Sequence, residues 1–147
     1  MKTTILCSLM IAFSLSVYSQ KKSPNIEGAW KLVQLQSITG KVVVTEFPGK
    51  SHIDDTKIWS GNNFMFINRA KVDTTVTDWY GVGTYKLDGN KYEEYVRLIN
   101  FKPWEGTTIK MSLVLKNDTL IQTYPVDDKG EPDKNGASIE KYLKIKK

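Results

Sequence analysis

Glu94 is the side chain of this sequence best placed to do chemistry. It follows Tyr92 by two positions, and the predicted hairpin register places Tyr85 on the same face. That face is mainly apolar, so a carboxylate on it must be paired, hydrogen-bonded or shifted toward its neutral form. Three interpretations remain open: a ligand anchor, a structural hydrogen bond to a tyrosine, or an ion pair with Arg69 or Arg97 if Glu94 points outward.

No catalytic set accompanies Glu94. Catalysis would need a second acid on the same face, and the alternation of residues places none there clearly. His52 is the only histidine, in a predicted polar loop, so it supplies neither a multi-histidine metal site nor a catalytic triad. Ser51 lacks the G-x-S-x-G environment of a hydrolase nucleophile. We therefore expect a protein that is not an enzyme.

The acidic segment 127–133 is the one stretch that could attract calcium. Its spacing does not match the EF-hand ligand pattern, and its lysine dilutes the charge. The sequence therefore predicts a solvated loop, with no metal site and no cofactor.

Residues 1–19 are predicted to be a cleaved signal peptide. Lys2 precedes a mostly apolar run, Ile5–Val17, and Ser19 suits a cleavage site before Gln20. The run is shorter than the roughly 18 residues that span a bilayer. Cys7 has too short a segment before it to be a lipoprotein site. Because it is the only cysteine and lies within the signal peptide, we expect no disulfide and no thiolate in the mature chain. We expect a secreted or periplasmic protein without a transmembrane segment in the mature chain.

The charge of the chain is only mildly basic. It has 21 lysines and arginines against 16 acids, a formal net charge of +5, and the lysines are dispersed. Nucleic-acid binding would want a basic stripe with stacking aromatics on one face. We therefore expect no nucleic-acid partner.

The elements that must position Glu94 are short strands, because period-two alternation and turn signals dominate the mature chain. A polar leader covers residues 20–27. The connections include 48–55, as a loop or a single helical turn, and the polar segments 73–78, 101–106 and 125–138. The predicted strands are 28–37, 41–47, 56–60, 63–72, 79–87, 91–100, 107–116, a strand after the Asn117-Asp118 turn, and 139–145.

The turns set the faces of these strands. The Gly61-Asn62 hairpin pairs Trp59 with Phe64, and the Asn117-Asp118 hairpin pairs Leu115 with Leu120. In the first strand the alternation places Trp30 and Leu32 on one face and Val33 and Leu35 on the other. After the Asp88-Gly89-Asn90 turn, it places Val96 and Leu98 on the face of Glu94.

About nine strands joined mainly by tight turns, with no crossover helix, argue against a parallel βαβ topology. An antiparallel up-and-down barrel and a sandwich fit this pattern, and the successive hairpins favour the barrel. We predict an all-β domain over residues 28–147, with about 8–10 strands whose closure would remove exposed edges.

The opening of the first strand resembles a known family. Gly28-Ala29-Trp30, within Ile26–Val33, resembles the G-x-W signature of the lipocalin and fatty-acid-binding (calycin) superfamily. Lys57-Ile58-Trp59-Ser60, and Gly83-Thr84-Tyr85 with Tyr92–Tyr95, are similar to small secreted lipocalin-like bacterial proteins of uncharacterised function. The resemblance spans most of the mature chain. It implies a barrel with a cavity at one end and no settled activity.

Two functions follow as hypotheses. The first is binding of a small apolar or amphipathic ligand inside the barrel, while Trp30 plugs the closed end. The alternative is a non-catalytic module that engages a protein or glycan through its surface or loops, with Trp79-Tyr80 and Trp104 exposed. Residues of the ligand set would otherwise simply fill the core. The predicted ligand-binding residues are Trp59, Phe64, Phe66, Tyr85, Tyr92, Glu94, Met111, Gln122 and Tyr124.

Overall fold

The computed structural model describes residues 22–49 and 51–146, and within them the chain forms nine strands and one 3₁₀ turn, Lys102–Trp104. The predicted signal peptide and the first two residues of the leader lie outside the described residues. The strands are β1 Gly28–Thr39, β2 Val42–Phe47, β3 Ser51–Ser60, β4 Asn63–Val72, β5 Thr75–Asp88, β6 Lys91–Ile99, β7 Thr108–Lys116, β8 Thr119–Tyr124 and β9 Ala137–Lys144.

Eight of these strands close into an antiparallel barrel. β3 to β9 pair in chain order, and β1 pairs with both β3 and β9. The predicted all-β, up-and-down barrel is therefore confirmed, and its architecture is lipocalin-like. Closure satisfies the backbone groups of these strands around the ring, so no edge of the ring is left open.

β2 stands outside the ring. It pairs with the second half of β1, beyond the point where β1 leaves β3. Among the described strands, β1 is its only partner, and Val42, Val43 and Val44 are exposed. Closure therefore protects eight strands, while β2 keeps one unpaired edge.

The hairpin registers agree with the alternation in the sequence. Trp59 pairs with Phe64, and Leu115 pairs with Leu120, as predicted. Glu94 points into the barrel and is 3% exposed. The two-residue turns at Gly61 and Gly89 place these glycines at φ +57° and +59°, where a side chain would be strained.

Two predicted connections are wrong in part. The segment 48–55, predicted as a loop or helical turn, is strand from Ser51, and 73–78 is strand from Thr75. The first half of β3 pairs residue by residue with the second half of β4. The residues of this half alternate between outward and inward positions, and the two buried ones are Ile53 and Asp55. Because Asp55 is charged, the hydrophobic pattern that marks a strand was weak.

Two predicted faces are also wrong, and each lies beside a β-bulge. A register shift between Leu32 and Gln34 turns Leu35 inward, against the predicted outward face. A shift between Val82 and Gly83 in β5 offsets its pairing with β6, and Leu98 is 51% exposed while Ile99 is buried. An extra residue in one strand inverts the alternation beyond it, which a strict period of two cannot anticipate.

The leader and Trp30 seal one end of the barrel. Trp30 is 1% exposed, and its Nε1 donates to the Ile26 carbonyl at 2.8 Å. The Ser23 hydroxyl donates to the Leu87 carbonyl at 3.1 Å, which ties the leader to the β5–β6 hairpin. The predicted role of Trp30 as a plug that seats the N-terminal segment is confirmed.

Candidate functional site

A cavity of about 320 Å³ lies inside the barrel, between its middle and the end opposite Trp30. Its volume is at the lower end of the roughly 300–1,000 Å³ typical of small-molecule pockets. The interior has three levels along the barrel axis: an aromatic floor, a polar layer above it, and an apolar mouth. The apolar wall and mouth consist of Leu35, Ile53, Phe66, Ala70, Trp79, Val96, Ile99, Trp104, Ile109 and Met111.

The aromatic floor is packed solid. Trp59 is fully buried and makes edge-to-face contacts with Trp30, Tyr92 and Tyr142, at ring centroid separations of 6.3–6.5 Å. Its Nε1 donates to the Tyr92 hydroxyl at 2.7 Å. Aromatic rings in this arrangement bury a large area and hold one another in fixed orientations. The floor therefore provides a rigid base for the polar layer.

Lys57 is at the centre of the polar layer. Its ammonium forms an ion pair with Glu94 and donates to the Gln122 amide oxygen at 3.1 Å. The same ammonium lies 5.2 Å from the Trp59 ring centroid and 5.4 Å from that of Phe64, within cation–π range. Since Lys57 is only 4% exposed, these contacts replace the water that a charged group would otherwise keep.

Glu94 joins the polar layer to the floor. It accepts a hydrogen bond from the Tyr92 hydroxyl at 2.5 Å as well as the ion pair from Lys57. Of the three interpretations of Glu94, the tyrosine hydrogen bond is present. The pairing with an arginine is not, because Glu94 points inward and pairs with Lys57, while Arg97 is exposed and Arg69 pairs with Asp78 outside the barrel. Burial, together with the Glu94 charge, raises the pKa of Tyr92 well above its usual value, so Tyr92 remains a donor.

Glu140 is the second carboxylate of the layer. It accepts hydrogen bonds from the hydroxyls of Tyr124 and Tyr142, each at 2.8 Å, and from the Gln122 amide at 3.1 Å. It lies deep in the barrel and keeps some accessible surface because it lines the cavity. Burial raises the pKa of Glu140 to about 7, against the opposing effect of the Lys57 charge.

Asp55 is the third carboxylate and the least satisfied. It is 5% exposed, and its Oδ2 accepts from the Asn68 amide at 2.8 Å. Its Oδ1 is buried with no hydrogen-bond partner among the described residues. Burial raises the pKa of Asp55, although the Asn68 hydrogen bond and the Lys57 charge oppose the shift.

Three aromatic residues surround the mouth. The Phe101 ring lies 5.2 Å from Trp79 and 5.8 Å from Trp104, and both tryptophans line the cavity. Trp104 is 40% exposed. Tyr80, which was named with Trp79 and Trp104 as an exposed aromatic residue for the alternative function, lies on the outer face of the barrel and is separate from the mouth.

The predicted ligand-binding residues divide between the cavity and the packed floor. Phe66, Glu94, Met111, Gln122 and Tyr124 line the cavity. The other four belong to the closed end and do not line it: Trp59, Phe64, Tyr85 and Tyr92. Parity along a strand identifies which side chains point inward, but it does not show how far the packing of the closed end extends along the barrel axis.

Several polar residues of the site were missed from the sequence, and so the expectation that Glu94 has no second acid on its face is wrong. Asp55 and Lys57 share the inward parity of Trp59, so a strict reading of β3 would have placed both inside. Tyr142 and Glu140 lie in the last strand, where Tyr142 is the one buried residue of the sequence EKYLK. Because charged side chains are rare in protein cores, the inward parity of these charged residues was not taken as evidence that they are buried.

The remaining candidates lie away from the cavity. His52 is exposed, as predicted, although it lies in β3 rather than in a loop. In the acidic loop, the Asp127 carboxylate accepts backbone hydrogen bonds from Lys129 and Glu131, and Asp128 pairs with Lys110. In the part of the chain that the structure describes, no group of three or more His, Cys, Asp or Glu side chains is arranged to hold a metal ion.

The described residues also contain no helix that is long and apolar enough to cross a membrane. No protein-family model matches the chain, and comparison with curated proteins finds no match. Fold and site together define an eight-stranded antiparallel barrel, lipocalin-like in architecture, with a polar layer below an interior cavity that has an aromatic mouth.

Proposed function

We propose that this protein binds one small amphipathic molecule inside its barrel, as an exported member of the lipocalin-like proteins. The observation that carries the proposal is the cavity of about 320 Å³, which combines apolar walls with a polar layer at its inner end. Ligand pockets are mostly apolar and contain a few polar groups that fix orientation. The apolar part of the ligand would lie between Phe66, Ile99 and the mouth, with its polar end toward Asp55 and Glu140.

The floor and the polar layer support this proposal because they are built to remain in place. Glu94 and Lys57 neutralise one another, and the Tyr92–Trp59 hydrogen bond anchors the pair to the floor. A preformed site binds more tightly because less side-chain freedom is lost on binding.

Binding without catalysis is the form of activity we propose. Two of the three cavity carboxylates that acid–base chemistry could use already have structural partners: Glu94 has Lys57, and Glu140 has three donors. Export is proposed on the sequence alone, from the charged start and short apolar run of residues 1–19. The calycin relationship likewise rests on Gly28-Ala29-Trp30 and the hairpins that follow it.

Ala70 offers a direct test, because it lines the cavity near the mouth. Ala70→Trp should fill the cavity while the barrel still folds. Lys71→Trp adds the same side chain at the next position, which is exposed on the outer face, and serves as the control. The probes are octanol, octanoate and octylamine, titrated by calorimetry.

The wild type and Lys71→Trp should bind at least one of these probes with one-to-one stoichiometry, and Ala70→Trp should lose at least tenfold in affinity. Native mass spectrometry of the purified proteins should detect a co-purified small molecule on the wild type and on Lys71→Trp, and none on Ala70→Trp. The absence of binding to all three probes, or equal binding by both variants, would refute a ligand inside the barrel.

A further inference from the structure

We propose that the polar end of the ligand is an N–H-bearing cation, such as a primary ammonium group, held between Asp55 and Glu140. This inference rests on the proposed function, because it specifies which class of molecule the cavity takes. It assigns a small apolar amine, in preference to a fatty acid or a neutral alcohol.

The charges in the cavity are unequal. Among the described residues, the charged side chains that line it are three carboxylates, Asp55, Glu94 and Glu140, and one ammonium, Lys57. Lys57 forms its ion pair with Glu94, so the other two carboxylates have no cationic partner within the wall. A ligand cation would supply the missing charge where the low dielectric makes it most effective.

The donors of the polar layer are already engaged. The Asn68 amide donates to Asp55, the Gln122 amide to Glu140, and the Lys57 ammonium to Gln122. The hydroxyls of Tyr124 and Tyr142 both donate to Glu140. The cavity therefore presents acceptors in excess, so a ligand that brings donors is favoured over one that brings acceptors.

An anionic head group would find no open cation. The Lys57 ammonium is bonded to Glu94 and Gln122, and its remaining surroundings are the rings of Trp59, Phe64 and Tyr92, at 5.2–5.9 Å. A carboxylate ligand would have to displace Glu94 from this buried pair and would also approach the charges of Asp55 and Glu140. Both effects oppose the binding of a fatty acid.

Asp55 is the residue that indicates where the cation would lie. A buried polar atom without a partner is costly, and such atoms are rare in folded proteins. Asp55 Oδ1 is such an atom in a side chain that is 5% exposed and lines the cavity. Glu140 lines the same cavity, so the wall that surrounds a ligand contains both carboxylates. An ammonium group has three donors, enough to reach Asp55 Oδ1 and a free lone pair of Glu140.

The decisive experiment compares octylamine, octanol, octanoate and octyltrimethylammonium by calorimetry at pH 8, which is above the Glu140 pKa of about 7. Octylamine should bind at least tenfold more tightly than octanol and octanoate. Octyltrimethylammonium keeps the charge but has no N–H donor, so it should bind at least tenfold more weakly than octylamine. Asp55→Asn should lower the affinity for octylamine at least tenfold and keep the affinity for octanol within about twofold of the wild-type value.

Asp54→Asn is the matched control, because Asp54 is the next residue in β3 and pairs with Lys31 outside the barrel. It should bind octylamine as the wild type does. Glu140→Gln is the second test variant, and it should also weaken octylamine selectively. Circular dichroism and thermal unfolding would verify that each variant is folded.

The outcomes separate the two proposals. If octanol or octanoate binds as tightly as octylamine, the cation site is refuted while binding in the barrel stands. Equal binding of octyltrimethylammonium would refute N–H donation to Asp55. An unchanged octylamine affinity in both Asp55→Asn and Glu140→Gln would refute the assigned residues. Failure of all the probes would refute the proposed function itself.

Discussion

A buried lysine is the residue on which the interior of this barrel depends. Lys57 touches a carboxylate, an amide and three aromatic rings, and it is 4% exposed. Buried ion pairs gain little over a well-packed apolar pair, but removing one partner is costly because the other charge remains buried. The Lys57–Glu94 pair therefore matters more for keeping the polar layer in a single arrangement than for net stability.

Lys57→Met should lower the free energy of unfolding by about 3–5 kcal/mol, because it leaves the Glu94 carboxylate buried without a cation. Urea unfolding monitored by circular dichroism would measure it. Lys31→Met removes an exposed ion pair with Asp54 and should cost less than about 1 kcal/mol. The double variant Lys57→Met/Glu94→Gln should recover part of the loss. A Lys57→Met cost as small as that of Lys31→Met would contradict this account of the pair.

Glu140 makes stability depend on pH in an unusual direction. Its pKa is about 7 in the folded chain, against an ordinary value of 4.5, so the folded state binds the proton more tightly than the unfolded state does. Its favourable contribution is fully present below pH 4.5 and is lost as the pH rises through 7. At 1.36 kcal/mol per pKa unit, the upper limit of this change is roughly 3–4 kcal/mol.

The free energy of unfolding of the wild type should therefore fall between pH 5 and pH 8, and Glu140→Gln should flatten this slope. The groups that face Glu140 are Tyr124 and Tyr142, which titrate well above this window, and the charges of Lys57 and Asp55. The lowered pKa values of Asp54, Asp78 and Asp128 place their titrations below it. Glu93→Gln, outside the barrel, should retain the wild-type slope. A wild-type stability that rises over this range would contradict the assignment.

At the scale of elements, two glycines let β5 pass close to its neighbours. A Cβ at Gly83 would lie 2.0 Å from the Tyr95 carbonyl oxygen, beside the bulge that offsets β5 from β6. A Cβ at Gly81 would meet the Phe66 ring at 2.7 Å. The Tyr95 carbonyl belongs to the backbone of the sheet and cannot move away easily. The Phe66 ring is a side chain that lines the cavity and can move into it.

Gly83→Ala should therefore cost more stability than Gly81→Ala, by thermal or urea unfolding. Overpacking typically costs about 1–3 kcal/mol, and we expect Gly81→Ala within that range and Gly83→Ala above it. Gly81→Ala should also push Phe66 into the cavity and weaken octylamine or octanol binding. Equal costs for the two variants, or unchanged binding by Gly81→Ala, would argue against the described packing.

The elements themselves were largely predictable from the sequence, and the reasons for the failures are specific. Regular alternation located β7, and tight turns fixed the registers at Trp59 and Leu115. The inward position of Leu35 and the outward position of Leu98 were not predictable. Each residue follows a β-bulge, and the position of a bulge depends on contacts between strands. The first half of β3 was missed because the segment 48–55 breaks the apolar alternation that marks a strand.

At the scale of the whole molecule, the barrel class followed from successive hairpins without crossover helices, but the interior did not. Which inward side chains line a cavity depends on where packing from the closed end stops. Here it stops between Trp59 and Lys57, two successive inward residues of β3. Sequence periodicity contains no information about that boundary, and so Tyr85 and Tyr92 were assigned to the cavity together with Phe66 and Met111.

The division of the interior also separates the four tryptophans of the chain into two optical populations. Trp30 and Trp59 lie in the floor, where water does not reach them, while Trp79 and Trp104 stand at the mouth. The intrinsic fluorescence of the protein is therefore a sum of a blue, shielded component and a red, quenchable one. A molecule that enters the barrel should change the second component and leave the first as an internal reference, so the proposed occupancy could be followed without a label.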